Sequence, residues 1–198
     1  MLIWIAFLVG VAVPEPVAYR VAAEESRMTV QVGTAGLFKV FGHEHNIEVR
    51  GLAGRVEWSP EVPGSSRFVL EVDAASLSVA DEELSEKDRA RVQSDMETQA
   101  LALPENPKIV FESTEVRVEK SEGANRRLKL RGRLSLRGVT KPIEVPVTLG
   151  VVEGRLTAKG EMDLESKDWG VPQISAVGGS VKTKEELTLA FEIVAVRE

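Results

Sequence analysis

Leu128-Lys129-Leu130-Arg131-Gly132-Arg133-Leu134-Ser135-Leu136 and, a few residues on, Ile143-Glu144-Val145-Pro146-Val147-Thr148-Leu149 alternate apolar and polar side chains. A period of two is the mark of a strand with one face in a core and the other in water. Leu128, Leu130, Leu134 and Leu136 share one face, and Ile143, Val145, Val147 and Leu149 form a second uniform face. Gly138 and Pro142 bracket the turn expected between them. The same rhythm runs outward in both directions. Upstream it appears at Met28, Val30 and Val32, at Ile47 and Val49, at Val56 and Trp58, at Phe68, Leu70 and Val72, and from Ile109 and Phe111 to Val116 and Val118. Downstream it continues through Leu156, Ala158, Met162 and Leu164 to Leu187, Leu189, Phe191 and Ile193. The polar stretch Glu119–Arg127 reads as a hairpin loop.

About nine or ten half-buried strands joined by short turns must avoid long open edges, and closure into an antiparallel barrel removes them. A two-sheet sandwich is the alternative, because alternation fixes the buried face and not the closure. One interruption stands out. From Asp81 to Leu103 the strand formers give way to Glu, Lys, Arg, Gln and Ala, with only a sparse stripe at Leu84, Lys87, Arg91 and Met96. This predicts one or two short exposed helices around residues 81–103, laid over an end of the barrel and stopped by Pro104 and Pro107. The expected fold is thus mostly β.

The chain has 198 residues, 43 % of them hydrophobic, which suits one self-sufficient core. Lys and Arg number 25 against 31 Asp and Glu, a net charge of −6 with no basic run, so nucleic acid is not an expected partner. Cysteine is absent, which excludes disulfides, thiolate metal sites and a cysteine nucleophile. Met1–Val13 is uncharged and apolar, too short to span a bilayer as a helix but matched to the apolar region of a secretory signal. No Lys or Arg precedes it. Residues 1–23 are therefore expected to be a signal peptide or N-terminal anchor, with small residues for cleavage at Ala18, Ala22 and Ala23, and residues 24–198 the barrel. A periplasmic or secreted location follows from that expectation.

Only two histidines are present, His43 and His45, spaced so that a strand would project both from one face. They make at most half a metal site, since a structural zinc takes four ligands and a catalytic one three. Hydrogen bonding at a barrel mouth and contact with a ligand head group are the other readings. No Gly-x-Ser-x-Gly elbow or phosphate-binding glycine loop occurs, and Glu82-Glu83 and Glu185-Glu186 are sequence neighbours that point apart, so no enzyme and no cofactor is expected. The inward positions are mostly Leu, Val, Ile, Ala and Gly, with six Phe, three Trp and one Tyr in the whole chain. Such a wall leaves room for a ligand.

Taken in order, several motifs resemble the YceI-like, polyisoprenoid-binding family, whose barrel is an extended lipocalin-like one. They are Gly36-Leu37-Phe38 with Phe41-Gly42-His43-Glu44-His45-Asn46, the Pro-x-Ile-x-Phe-x-Ser strand Pro107–Ser113, the segment Gly132–Pro142, and Asp168-Trp169-Gly170-Val171. The resemblance covers about residues 27–195. It implies a long isoprenoid or similar amphiphilic lipid inside the barrel, and a homodimer as the candidate assembly. A barrel that kept its shape without a ligand, or a metal-dependent activity at His43 and His45, are the alternatives. The lining residues expected to meet the lipid are Leu37, Phe38, Phe41, Ile47, Phe111, Leu134, Leu136, Val145 and Trp169. Trp169, beside Gly170 in a loop-like stretch, is placed as a lid or a plug.

Overall fold

The computed structural model describes residues 15–35, 44–176 and 181–198. Twelve strands among the described residues join one antiparallel sheet that closes on itself. Three of its staves are long strands broken near the middle. β1 (Val17–Val21) and β2 (Arg27–Ala35) lie end to end along one edge of β12 (Val181–Arg197). β3 (His45–Val49) and β4 (Leu52–Trp58) follow them in the same way, β3 beside β2 and β4 beside β1. β5 (Arg67–Asp73) and β6 (Leu77–Val79) make the third. β7 (Lys108–Glu122), β8 (Asn125–Leu136), β9 (Val139–Val152) and β10 (Arg155–Glu165) then run as a meander to the other edge of β12. The short β11 (Ser175–Ala176) pairs with the start of β12. The fold is the closed eight-stave barrel, not the sandwich.

Two turns are set by backbone chemistry. Arg137 and Gly138, and again Glu153 and Gly154, all have positive φ, the conformation of a two-residue turn whose twist matches that of the strands it joins. Glycine in the second position supplies that geometry without strain. Pro142 consequently does not bracket the turn. It lies inside β9 opposite Arg133. Glu119–Arg127 is not a loop either: β7 runs to Glu122 and β8 starts at Asn125, leaving Gly123 and Ala124 to turn the chain. Both faces there are polar because both stand in water.

The outer wall carries the charge. Arg131 donates to Glu144 at 2.6 Å and to Glu115 at 3.3 Å, linking three neighbouring strands. The same bond to Arg131 holds the Glu144 carboxyl below the usual range. Charges outside and hydrocarbon inside are the reverse of a lipid-embedded barrel. Among the described residues no helix is long and apolar enough to cross a membrane.

The expected helical interruption is α1 (Glu86–Asp95), followed by a wider turn over Met96–Ala100. Ser85 caps α1 by accepting from the Asp88 amide at 3.1 Å. The helix covers β6, whose outer edge has no strand partner because the chain joins β7 only at Lys108. Gln93 substitutes for that partner. Its Oε1 accepts from Val79 N at 2.9 Å and its Nε2 donates to Leu77 O at 2.9 Å, so a side-chain amide imitates one residue of a strand. Gln93→Ala would leave both backbone groups unpaired beneath the helix. The expected cost is about 1–3 kcal/mol. Hydrogen exchange at the Val79 amide checks it, and unchanged protection would contradict this role.

Part of the segment 1–23, expected as a signal peptide or anchor, lies in the sheet. β1 pairs on both sides, with β4 and with β12, and Tyr19 within it is buried at 4 % exposure. The folded unit therefore includes residues 17–23.

Candidate functional site

Inward-facing alternation leaves the two ends of the barrel unlike. At the β1 end large side chains meet across the axis: Trp58, Leu128 and Leu149 are each at most 2 % exposed. Phe68 packs edge-on to Trp58 with centroids 6.4 Å apart, and the Arg126 guanidinium covers the indole at 5.6 Å. These groups form a floor. Above it lies a cavity of about 600 Å³, opening at the end where β2, β3 and α1 stand.

Its lower wall is Val56, Phe68, Leu130, Val147, Leu156 and Ile193. Val30, Val32, Ile47, Val49, Leu70, Val72, Ile109, Leu134, Leu136, Ile143, Val145 and Leu189 surround the middle. Two phenylalanines would obstruct the axis if their rings stood upright. Both instead lie over glycines: a Cβ on Gly132 would fall 2.4 Å from Phe111 Cε2, and one on Gly160 2.5 Å from Phe191 Cζ. Missing side chains on one strand thus receive the rings of its neighbours, and the centre stays empty. That contact also explains why Phe111 and Gly132 occur in separate motifs: each shapes the other's place in the wall. Ser113 of the first motif has a structural task, its Oγ accepting from the Phe68 amide at 2.9 Å where the β7–β8 ladder shifts register.

The mouth is polar. α1 turns Asp88, Arg91 and Asp95 toward it together with Val92, the following turn adds Met96, and β12 contributes Lys182, Thr183 and Lys184. His45 stands at the rim, its Nδ1 donating to Asp81 Oδ2 at 2.7 Å, while Asp81 Oδ1 accepts from Asn46 N at 2.7 Å. Asp81 is engaged on both oxygens and orients the ring. Among the described residues no three His, Asp or Glu side chains group as metal ligands, and His43 lies outside them.

Of the residues singled out from the sequence, Ile47, Phe111, Leu134, Leu136 and Val145 all face the cavity. Leu37, Phe38 and Phe41 lie outside the described residues. Trp169 is buried at 3 % exposure but stands away from the cavity wall. It ends a short turn, Ser166–Trp169, and its Nε1 donates to Leu134 O at 3.0 Å, fastening that turn to the rim of β8. Arg137 donates to Gly170 O at 2.7 Å beside it. The tryptophan that plugs the barrel is Trp58, at the opposite end. Alternation along β4 places Trp58 inward, two residues beyond Val56, so that signal was present in the sequence. The cavity residues Val92 on α1 and Met96 just after it carried only a faint one.

An apolar calyx with a packed floor and a polar rim is the architecture in which barrels can hold a small ligand. The model of the YceI-like domain matches residues 19–195, and the chain belongs to that family. Among solved structures it resembles BcnA of Burkholderia cenocepacia, with a TM-score of 0.68 at 16 % identity over 89 % of this chain and 99 % of that one. A polyisoprenoid-binding domain from Saccharophagus degradans, implicated in plant cell wall breakdown, matches with a TM-score of 0.67 at 11 % identity over 92 % and 99 %. The Campylobacter jejuni YceI protein gives 0.57 at 13 % over 77 % and 84 %. At these identities the likeness is one of fold. A search of curated proteins found no match.

Proposed function

We propose that this chain is an exported, non-catalytic carrier that holds the tail of an isoprenoid or similar amphiphilic lipid in its barrel. The observation that carries the reading is the apolar cavity of about 600 Å³, within the range of about 300–1,000 Å³ of small-molecule sites. Each methylene-sized unit moved from water into such a wall gains about 0.8 kcal/mol, so the tail supplies most of the affinity. Ile47, Phe111, Leu134, Leu136 and Val145 contact it, with Leu37, Phe38 and Phe41 added from the sequence alone. The polyisoprenoid-binding description of the Saccharophagus relative favours the isoprenoid among lipids.

Export rests on the charge-free run Met1–Val13. A cleavage that leaves the barrel whole falls before Val17, not at Ala18, Ala22 or Ala23, because those sites lie in or beyond β1.

Protein purified from its native host and extracted with organic solvent is expected to release a lipid with a long apolar tail in about equimolar amount, read by mass spectrometry. Repeated preparations without any such lipid, together with no uptake of added prenyl quinone, would leave the second reading, a barrel used only as a scaffold.

A further inference from the structure

The strands of the ring are not paired to the same height all round. β9 and β10 share a ladder from Arg155 beside Val152 to Lys159 beside Thr148 and none beyond it, although β10 continues to Glu165 and β9 begins at Val139. Two prolines account for the break. The ladder from β9 to β8 runs unbroken through Pro142 and Pro146, so the amide hydrogens those residues lack are missing from the opposite edge, the one toward β10. At the fork Gly160 admits the Pro146 carbonyl, since a Cβ there would lie 2.4 Å from Pro146 O. Beyond β8 and β7, β6 and β7 are also unpaired, and α1 covers the edge of β6. Above the fork the wall is therefore two leaves, one of β10, β12, β2, β3 and β6 and the other of β7, β8 and β9, joined below by the complete ring.

Little fastens the fork. The turn Ser166–Trp169 leaves the end of β10 and is tied to the β8–β9 hairpin by two hydrogen bonds, Trp169 Nε1 donating to Leu134 O at 3.0 Å and the Arg137 guanidinium donating to Gly170 O at 2.7 Å. Both donors are side chains, so the tie can open without unravelling a strand. Ile143 and Val145 on one lip of the fork and Leu164 on the other line the cavity. The fork leads directly into it.

We propose that the mouth half of the barrel opens sideways along the fork between β9 and β10, with Trp169 and Arg137 as its latch, and that the lipid tail passes through this side. The passage rests on the lipid-carrier reading, whereas the opening does not. A branched tail laid in from the side avoids being threaded lengthwise through the rim. A sparsely populated open state is enough, because exchange then proceeds at a rate set by its population.

The chain has no cysteine, so a pair of nitroxide labels on introduced cysteines reports one distance in the full protein. Glu144→Cys with Asp163→Cys spans the fork, and Thr148→Cys with Lys159→Cys spans the paired strands beneath it. Pulsed electron resonance is expected to give a single narrow distance for the lower pair and, for the upper pair, a second and longer population. Arg137→Asn cuts the latch with a residue that the positive φ of this turn favours, so the fold is kept. It should enlarge the long population about fivefold, the scale of one hydrogen bond. Uptake and release of a geranylgeranyl benzoquinone should both quicken by the same factor at unchanged Kd, read by stopped-flow quenching of tryptophan emission. An upper pair as narrow as the lower one, in the parent and in Arg137→Asn alike, overturns the opening. A larger long population with unchanged exchange rates overturns the passage. If the quinone does not bind the parent, the carrier reading falls and the passage with it, while the distances still decide the opening.

Discussion

Val145→Trp should lower the affinity for a prenyl lipid by at least roughly fiftyfold while leaving the barrel folded. Val145 projects from β9 into the cavity at 8 % exposure, with Leu130 as its cross-strand partner. The added indole enters empty space, so the strain that usually follows a small-to-large change in a packed core does not arise. The tail must then give up the volume that the ring occupies. Displacing three methylene-sized units forfeits about 2.4 kcal/mol, and each 1.4 kcal/mol is a factor of ten in Kd. Titration with a prenyl quinone, alongside a thermal melt, reads both quantities. An unchanged Kd in a variant that melts normally would mean that the lipid does not sit in the barrel.

That prediction was within reach of the sequence, because the alternation that identified Val145, Leu134 and Leu136 also fixed their direction. What alternation conveys is which side chains share a face, and here one face of nearly every stave is inside. It is silent on how the two ends of the cylinder differ. The floor at Trp58 and the open mouth above Ile47 arise from which inward residues meet across the axis, a property of the closed sheet and not of any one strand. The Phe111–Gly132 and Phe191–Gly160 contacts are of the same kind: the glycines look like weak points in their strands until the neighbouring ring is placed over them. The glycine-rich surroundings of Trp169 point to a cavity lid or plug, whereas in the fold its indole N–H donates to Leu134 O at the rim. In α1 the polar composition was legible and the cavity-facing residues were not. Their spacing at Asp88, Arg91, Val92, Asp95 and Met96 is helical, but a face built mainly of charge does not stand out as one that borders a hydrocarbon space.

The element that the sequence concealed most completely is β1, and removing it should have the largest effect on stability. Val17–Val21 follows an apolar run that reads as an export signal, and its own alternation is too short to compete with that signal. In the barrel it is the strand that closes the ring, its Val17–Arg20 beside Trp58–Arg55 of β4 and its Tyr19–Val21 beside Arg197–Ala195 of β12. A chain beginning at residue 24 would lose buried Tyr19, expose Trp58 and Ala195 along the break, and leave two unpaired edges. The loss of one large buried aromatic alone is worth about 3–5 kcal/mol. A domain with about 5–15 kcal/mol in total cannot spare that together with two ladders. The expected result in a denaturant titration is a chain from residue 24 that has no cooperative transition or a much lower midpoint. A chain from residue 15 keeps β1 and should unfold like the full protein. Equal midpoints for the two chains would show that β1 is dispensable to the closed barrel, and the limit placed on signal cleavage before Val17 would fall with it.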